Sequence, residues 1–60
     1  MKVLVELKET SQPIIHENVK NVYLKGIILC VYDGVADLVY KYPLDNVWRW
    51  IEPYHKVKQK

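Results

Sequence analysis

The stretch that decides the fold is IILCVYDGVADLVYKYP, residues 27–43. Its first six residues are apolar at odd and even positions alike, which is typical of a strand covered on both faces. Asp33-Gly34 comes next, a strong sequence signal for a hairpin with a type I′ turn. Beyond this turn, residues 36–42 alternate between two faces until Pro43 ends the strand. The stretch therefore predicts an antiparallel hairpin at the centre of the chain.

The residues before this hairpin also indicate strands. Residues 2–8 alternate with the period of a half-buried strand, and Val3, Val5 and Leu7 share one face. A turn at residues 10–13 separates them from an extended segment, residues 14–25, which a bulge or kink interrupts near its middle. The composition agrees, because 22 of the 60 residues are Val, Ile, Thr, Tyr or Trp.

Residues 44–51 allow two interpretations. Apolar side chains recur at helical spacing, at Leu44, Val47, Trp48 and Ile51. The same residues suit a last strand entered through a short 3₁₀ turn at 44–46. We favour the strand, because short isolated helices are marginal and tryptophan fits strands well. Under either interpretation we expect Trp50 to be the more exposed of the two tryptophans.

Together these elements predict one all-β domain over residues 1–54, followed by a basic tail at 55–60. About five short antiparallel strands would form a meander, either a small SH3-like or Sm-like barrel or an open sheet. A chain of 60 residues buries only about 60% of its unfolded surface, and its single cysteine allows no internal disulfide. We therefore expect a homodimer or higher homo-oligomer, joined through Ile28, Cys30 and Tyr32 or through the sheet edge beside them.

The charge is unevenly distributed along the chain. Residues 1–54 contain six basic and seven acidic side chains, and the remaining excess is Lys56, Lys58 and Lys60. Nucleic acid should bind only weakly, through this tail, because affinity for phosphates requires a concentrated basic surface. Apolar runs are too short for a membrane helix, and Glu6 interrupts any signal-peptide core. We expect a cytoplasmic protein with a reduced cysteine and no membrane partner.

Few residues offer catalytic or metal-binding chemistry. Cys30 could pair with His16 or His55, but it lies within an apolar strand, with no positively charged neighbour to activate its thiol. Asp33 and Asp37 flank one turn, where a turn role is the simpler interpretation. His16 with Glu17 supplies too few ligands for a metal and is expected at the surface. The sequence predicts a non-enzyme with no catalytic residue, metal site or cofactor.

The aromatic residues are the most informative for function. Five tyrosines and two tryptophans occur without phenylalanine, so every aromatic side chain carries a polar group. Such residues are enriched in protein-binding hot spots. We predict a partner-binding set of Trp48, Arg49, Trp50 and Tyr54. The alternative is a small β-barrel that stacks nucleic-acid bases on these rings.

The segment YKYPLDNVWRWI, residues 40–51, resembles the end of many short phage and mobile-element proteins, in which a Tyr-Pro-Leu-x-Asn-aliphatic turn follows a hairpin. The opening strand and the segment around residues 17–22 extend the resemblance. It implies a small oligomeric inhibitor or adaptor that binds a host protein, in a counter-defence or host-takeover role in the host cytoplasm. The turn itself implies architecture, since Pro43 stops a strand and Leu44 closes one end of the core.

Overall fold

The computed structural model describes residues 1–54 and confirms an all-β fold. The predicted basic tail at 55–60 lies outside the described residues. Six strands are present: β1 Val3–Leu7, β2 Ile14–His16, β3 Val19–Lys25, β4 Ile28–Asp33, β5 Leu38–Pro43 and β6 Val47–Ile51. A 3₁₀ turn at Leu44–Asn46 leads into β6. The strand interpretation of the last segment is thereby confirmed.

The strands form two three-stranded antiparallel sheets. Sheet A has the order β2-β1-β6 and sheet B the order β3-β4-β5, and residues 1–54 form no closed barrel. The predicted interruption between residues 14 and 25 separates β2 from β3, which puts them in different sheets and raises the strand count to six. The start of β1 remains attached to β3, because the Met1 amino group donates to the Val19 carbonyl (2.7 Å) and the Val19 N–H to the Met1 carbonyl (3.0 Å).

The core lies between the two sheets. Val3 and Val5 of sheet A and Leu29 and Val31 of sheet B are fully buried, each with 0% exposure. Val19 and Val47 complete this cluster, and five partly buried side chains pack against it: Leu7, Val22, Tyr42, Leu44 and Trp50. The predicted inward face of the first strand is confirmed.

The opposite face of β4 is also apolar. Cys30 points away from Leu29 and Val31, yet it is only 1% exposed. In the strand register Cys30 lies between Tyr23 of β3 and Lys41 of β5. Its neighbours in the predicted oligomer interface, Ile28 and Tyr32, are half-buried on this outer face of sheet B.

The turns of sheet B differ from the prediction. Gly26, in the two-residue β3–β4 turn, has a φ of 61°. Gly34 does not have a positive φ, so the predicted type I′ turn at Asp33-Gly34 is wrong. Instead, the Asp33 carboxylate accepts the N–H groups of the second and third residues after it, both at 2.9 Å. This bonding stabilises a four-residue loop, which closes with Asp37 at a φ of 58° and its N–H on the Asp33 carbonyl.

Candidate protein-binding surface

A β-bulge in β6 determines where both tryptophans lie. Val5 pairs with Trp50 and Leu7 pairs with Val47, so two residue steps on β1 correspond to three on β6. The extra residue breaks the alternation of the strand. Val47 and Trp50 consequently both face the core, and Trp48 is displaced to the outside.

The exposure of the tryptophans is the reverse of the prediction. Trp48 is 62% exposed, whereas Trp50 is half-buried and packs against the core. The Trp50 indole N–H donates to the Glu52 carboxylate at 2.8 Å, so its polar atom is paired at the rim of the core. The expectation that Trp50 is the more exposed is wrong, because neither interpretation of residues 44–51 included the bulge, which turns Trp48 outward and Trp50 inward.

Arg49 orders the exposed indole. Its guanidinium carbon lies 4.5 Å from the centroid of the Trp48 ring, within the range of a cation–π contact. The Arg49 Nε also donates to the Glu6 carboxylate at 2.8 Å, across the β1–β6 pair. Trp48 is therefore a large, exposed apolar group with a guanidinium packed on its ring, and the adjacent positive charge is already paired.

An apolar row continues this surface across sheet A. Leu4 lies between Ile15 of β2 and Ile51 of β6 in the register. Leu4 is buried, but Ile15 is 48% exposed and Ile51 is 37% exposed. We call this outer surface of sheet A the Trp48 face; it comprises Leu4, Glu6, Ile15, Trp48, Arg49 and Ile51.

The structure brings together half of the predicted partner-binding set. Trp48 and Arg49 are in contact on the Trp48 face. Trp50 lies on the other side of the same strand, against the core. Tyr54 is half-buried beside the start of β1, where its N–H donates to the Lys2 carbonyl at 2.7 Å.

A buried polar cluster between the sheets was not expected from the sequence. His16 is buried rather than at the surface, and its Nε2 lies 2.7 Å from the Tyr42 hydroxyl oxygen. The Tyr40 ring lies 4.6 Å from the His16 ring, centroid to centroid. Burial lowers the pKa of His16, partly opposed by the Asp33 carboxylate, and burial raises the pKa of Tyr42. The alternation of β2, which puts His16 in phase with Ile14, was the signal available for this placement.

The other groups considered for chemistry are engaged separately. Cys30 lies on the outer face of sheet B and His16 on its inner side, so the two do not form a nucleophile–base pair. The Asp37 carboxylate accepts the Tyr32 O–H at 2.8 Å, and this bond raises the pKa of Tyr32. Within residues 1–54, no cluster of three or more His, Cys, Asp or Glu side chains could hold a metal ion.

The described part of the chain has no helix with the length and apolar character needed to span a membrane. Comparisons with protein families, curated proteins and solved structures found no match to this chain.

Proposed function

We propose that this chain is a non-enzymatic protein-recognition module whose contact surface is the Trp48 face. The observation that carries the proposal is the bulge in β6, which turns a 62% exposed tryptophan out of the sheet. Bulges occur where a strand re-aims a side chain, often beside functional sites. A tryptophan buried in the core would contribute to stability, whereas this one contacts solvent and a guanidinium.

The composition of the Trp48 face fits a protein partner. Tryptophan and arginine are the residue types most enriched in hot spots, where one truncation costs about 2 kcal/mol or more in binding. The half-exposed Ile15 and Ile51 supply apolar area next to them. The Arg49–Glu6 pair fixes the indole in the free protein, so less conformational entropy is lost on binding.

The paired charges disfavour the nucleic-acid alternative. Arg49 packs on the Trp48 ring, and its Nε lies 2.8 Å from the Glu6 carboxylate. Lys2 is likewise 3.9 Å from Glu17. Binding to phosphates needs surplus positive charge. Any nucleic-acid binding should therefore be weak, lost at moderate salt, and dependent on Lys56, Lys58 and Lys60, which lie outside the described residues.

The resemblance to short phage and mobile-element proteins suggests the class of partner. We propose a protein of the host cell, bound in the host cytoplasm, with this chain acting as an inhibitor or adaptor. The small size of the module supports a stoichiometric role in which occupying a partner surface is sufficient. A Trp-centred surface is suited to this because a few anchor residues supply most of the binding energy.

The test is affinity capture from host lysate with three versions of the chain: wild type, Trp48→Ala and Val35→Ala. Val35 is the matched control because it is 78% exposed in the β4–β5 loop, away from the Trp48 face. Each capture is run with and without nuclease. We expect a protein that resists nuclease and is held by the wild type and Val35→Ala but is lost with Trp48→Ala.

Two outcomes would contradict the proposal. Capture that disappears with nuclease would favour the nucleic-acid alternative. A captured protein that binds Trp48→Ala as tightly as the wild type would place the contact surface elsewhere. Circular dichroism of Trp48→Ala establishes that the variant keeps its sheets, so lost capture reports on the surface and not on unfolding.

A further inference from the structure

The edge of sheet B formed by β3 has the features of a strand-pairing site, and we infer that two copies of the chain pair through it. The site comprises residues 21–25, which we call the β3 edge. β3 is the longest strand of the described residues and has β4 on one side only. On its other side, Met1 pairs with Val19 and the pairing goes no further.

The backbone groups that point out of this edge follow from the hydrogen-bond pattern. The Gly34 N–H donates to the Asn18 carbonyl at 3.0 Å, and the Leu44 N–H donates to the Ile27 carbonyl at 2.8 Å. Even-numbered residues of β4 therefore bond toward β3, and odd-numbered residues bond toward β5. The backbone groups of Cys30 then bond to those of Tyr23, its register partner. This leaves the N–H and C=O groups of Val22 and Leu24 directed away from the sheet.

The other three sheet edges of residues 1–54 are blunted. β2 is three residues long, β5 ends in Pro43, and β6 is interrupted by the bulge at Trp48. Short strands, prolines and bulges are the devices that prevent edge-to-edge pairing. β3 has its own bulge between Val19 and Asn21, which lies before the β3 edge begins. The β3 edge is the open one among the four.

The β3 edge is complementary to itself in one antiparallel register. A two-fold axis at Tyr23 places Val22 opposite Leu24 of the second copy, twice, and these are the residues whose backbone groups point outward. Tyr23 then faces Tyr23 of the second copy, at the spacing of a cross-strand aromatic pair. The result is one continuous six-stranded sheet built from two copies of sheet B.

Side-chain exposure and charge agree with this register. Leu24 faces the core side of sheet B but is 53% exposed, and Tyr23 is 41% exposed on the outer side. Pairing would cover both. Lys25 of each copy meets Asn21 of the other, so no two like charges are opposed across the pair. A lysine-bearing strand facing itself would otherwise be repelled.

Hydrogen exchange and sedimentation at increasing protein concentration test the inference with the full chain. We expect the sedimenting mass to rise from 7.2 kDa toward twice that value. Over the same range, the Val22 and Leu24 amides should become protected from exchange. The Val39 and Lys41 amides, which point out of the β5 edge, should not change.

Substitutions localise the contact. Val22→Pro removes an N–H that bonds to nothing in β4, so it should abolish dimerisation, and circular dichroism checks that sheet B remains, because the Val22 side chain packs against the core. The matched control is Val39→Pro, the same change at an outward-pointing position of β5, which should dimerise normally. Leu24→Lys provides a second test and should also prevent dimerisation. The fold should tolerate the added charge, because Leu24 is 53% exposed.

The inference fails if the wild type stays at 7.2 kDa at every concentration. It also fails if Leu24→Lys dimerises as the wild type does, or if Val39→Pro and not Val22→Pro abolishes the dimer. Because the Trp48 face lies on sheet A, capture of a partner through Trp48 can succeed or fail independently of these results.

Discussion

His16 of β2 and Tyr42 of β5 join the two sheets, with His16 Nε2 2.7 Å from the Tyr42 hydroxyl oxygen. Both rings lie at the inner side of the sandwich, and Tyr40 packs against the imidazole. A buried imidazole requires a polar partner, because an unsatisfied buried polar group costs about 1–3 kcal/mol. The Tyr42 hydroxyl supplies this partner, which a phenylalanine at position 42 could not do.

Tyr42→Phe should lower the free energy of unfolding by about 1–2 kcal/mol, because it leaves the His16 nitrogen without its partner. The measurement is urea denaturation followed by circular dichroism. Tyr40→Phe is the control, since Tyr40 contacts His16 through its ring and is itself more exposed. If both variants lost the same stability, the His16–Tyr42 bond would not be the reason.

The stability of the fold should decrease as the pH falls below about 6.5, the ordinary pKa of histidine. Burial lowers the pKa of His16 in the folded chain, although the Asp33 carboxylate opposes the shift. Between the two pKa values the unfolded chain binds more protons than the folded chain, so acid favours unfolding. Above about 6.5 this contribution is constant.

Urea midpoints measured at about pH 7.5 and about pH 5.5 test this, since few carboxyl groups titrate between these values. His16→Gln is the control, and its midpoint should change less over the same interval. A wild type and a His16→Gln variant with the same pH dependence would contradict the assignment to His16.

Much of the fold follows from local sequence. The alternation around Val3 and Val5 predicts their inward face correctly because β1 is regular there. β6 was predicted as a strand, but the relative exposure of Trp48 and Trp50 was predicted the wrong way round, because Trp48 faces outward and Trp50 faces the core. A bulge is defined by the partner strand, and alternation along one strand contains no information about it.

Two other differences have causes of their own. At Asp33-Gly34 the dipeptide indicated a two-residue turn, but the Asp33 carboxylate bonds to two following N–H groups and stabilises a longer loop. β2 and β3 lie in different sheets, and at the start of β3 Val19 bonds to Met1, 18 residues away in the chain. Contacts of this kind cannot be read from neighbouring residues.

Gly26→Ala should destabilise the β3–β4 hairpin by about 1–2 kcal/mol, because Gly26 has a φ of 61°, where a Cβ is unfavourable. A Cβ at this position would meet no atom of the rest of the protein within 4 Å, so the cost comes from the local backbone conformation alone. Gly26→Asn is the matched comparison and should lose less, since asparagine tolerates this conformation. Equal losses for the two variants would point to a different role for Gly26.

Truncation of the two tryptophans should change the free energy of unfolding by very different amounts. Trp50→Ala removes a side chain that packs against the core, so it should cost about 2–3 kcal/mol, somewhat less than for a fully buried aromatic. A domain of this size has a total stability of only about 3–9 kcal/mol, so Trp50→Ala should remove a large share of it. Trp48→Ala removes an exposed side chain and should change stability by about 0.5 kcal/mol or less.

Fluorescence of single-tryptophan chains measures the same difference without a truncation at the core. Trp48→Ala leaves the Trp50 indole, whose N–H is bonded to Glu52, and its emission should be blue-shifted and weakly quenched by acrylamide. Trp50→Phe leaves the Trp48 indole, which should emit at longer wavelength and be strongly quenched. If the indole of Trp48 were instead the shielded one, the bulge would not direct it outward, and the Trp48 face would lose the residue on which its binding role depends.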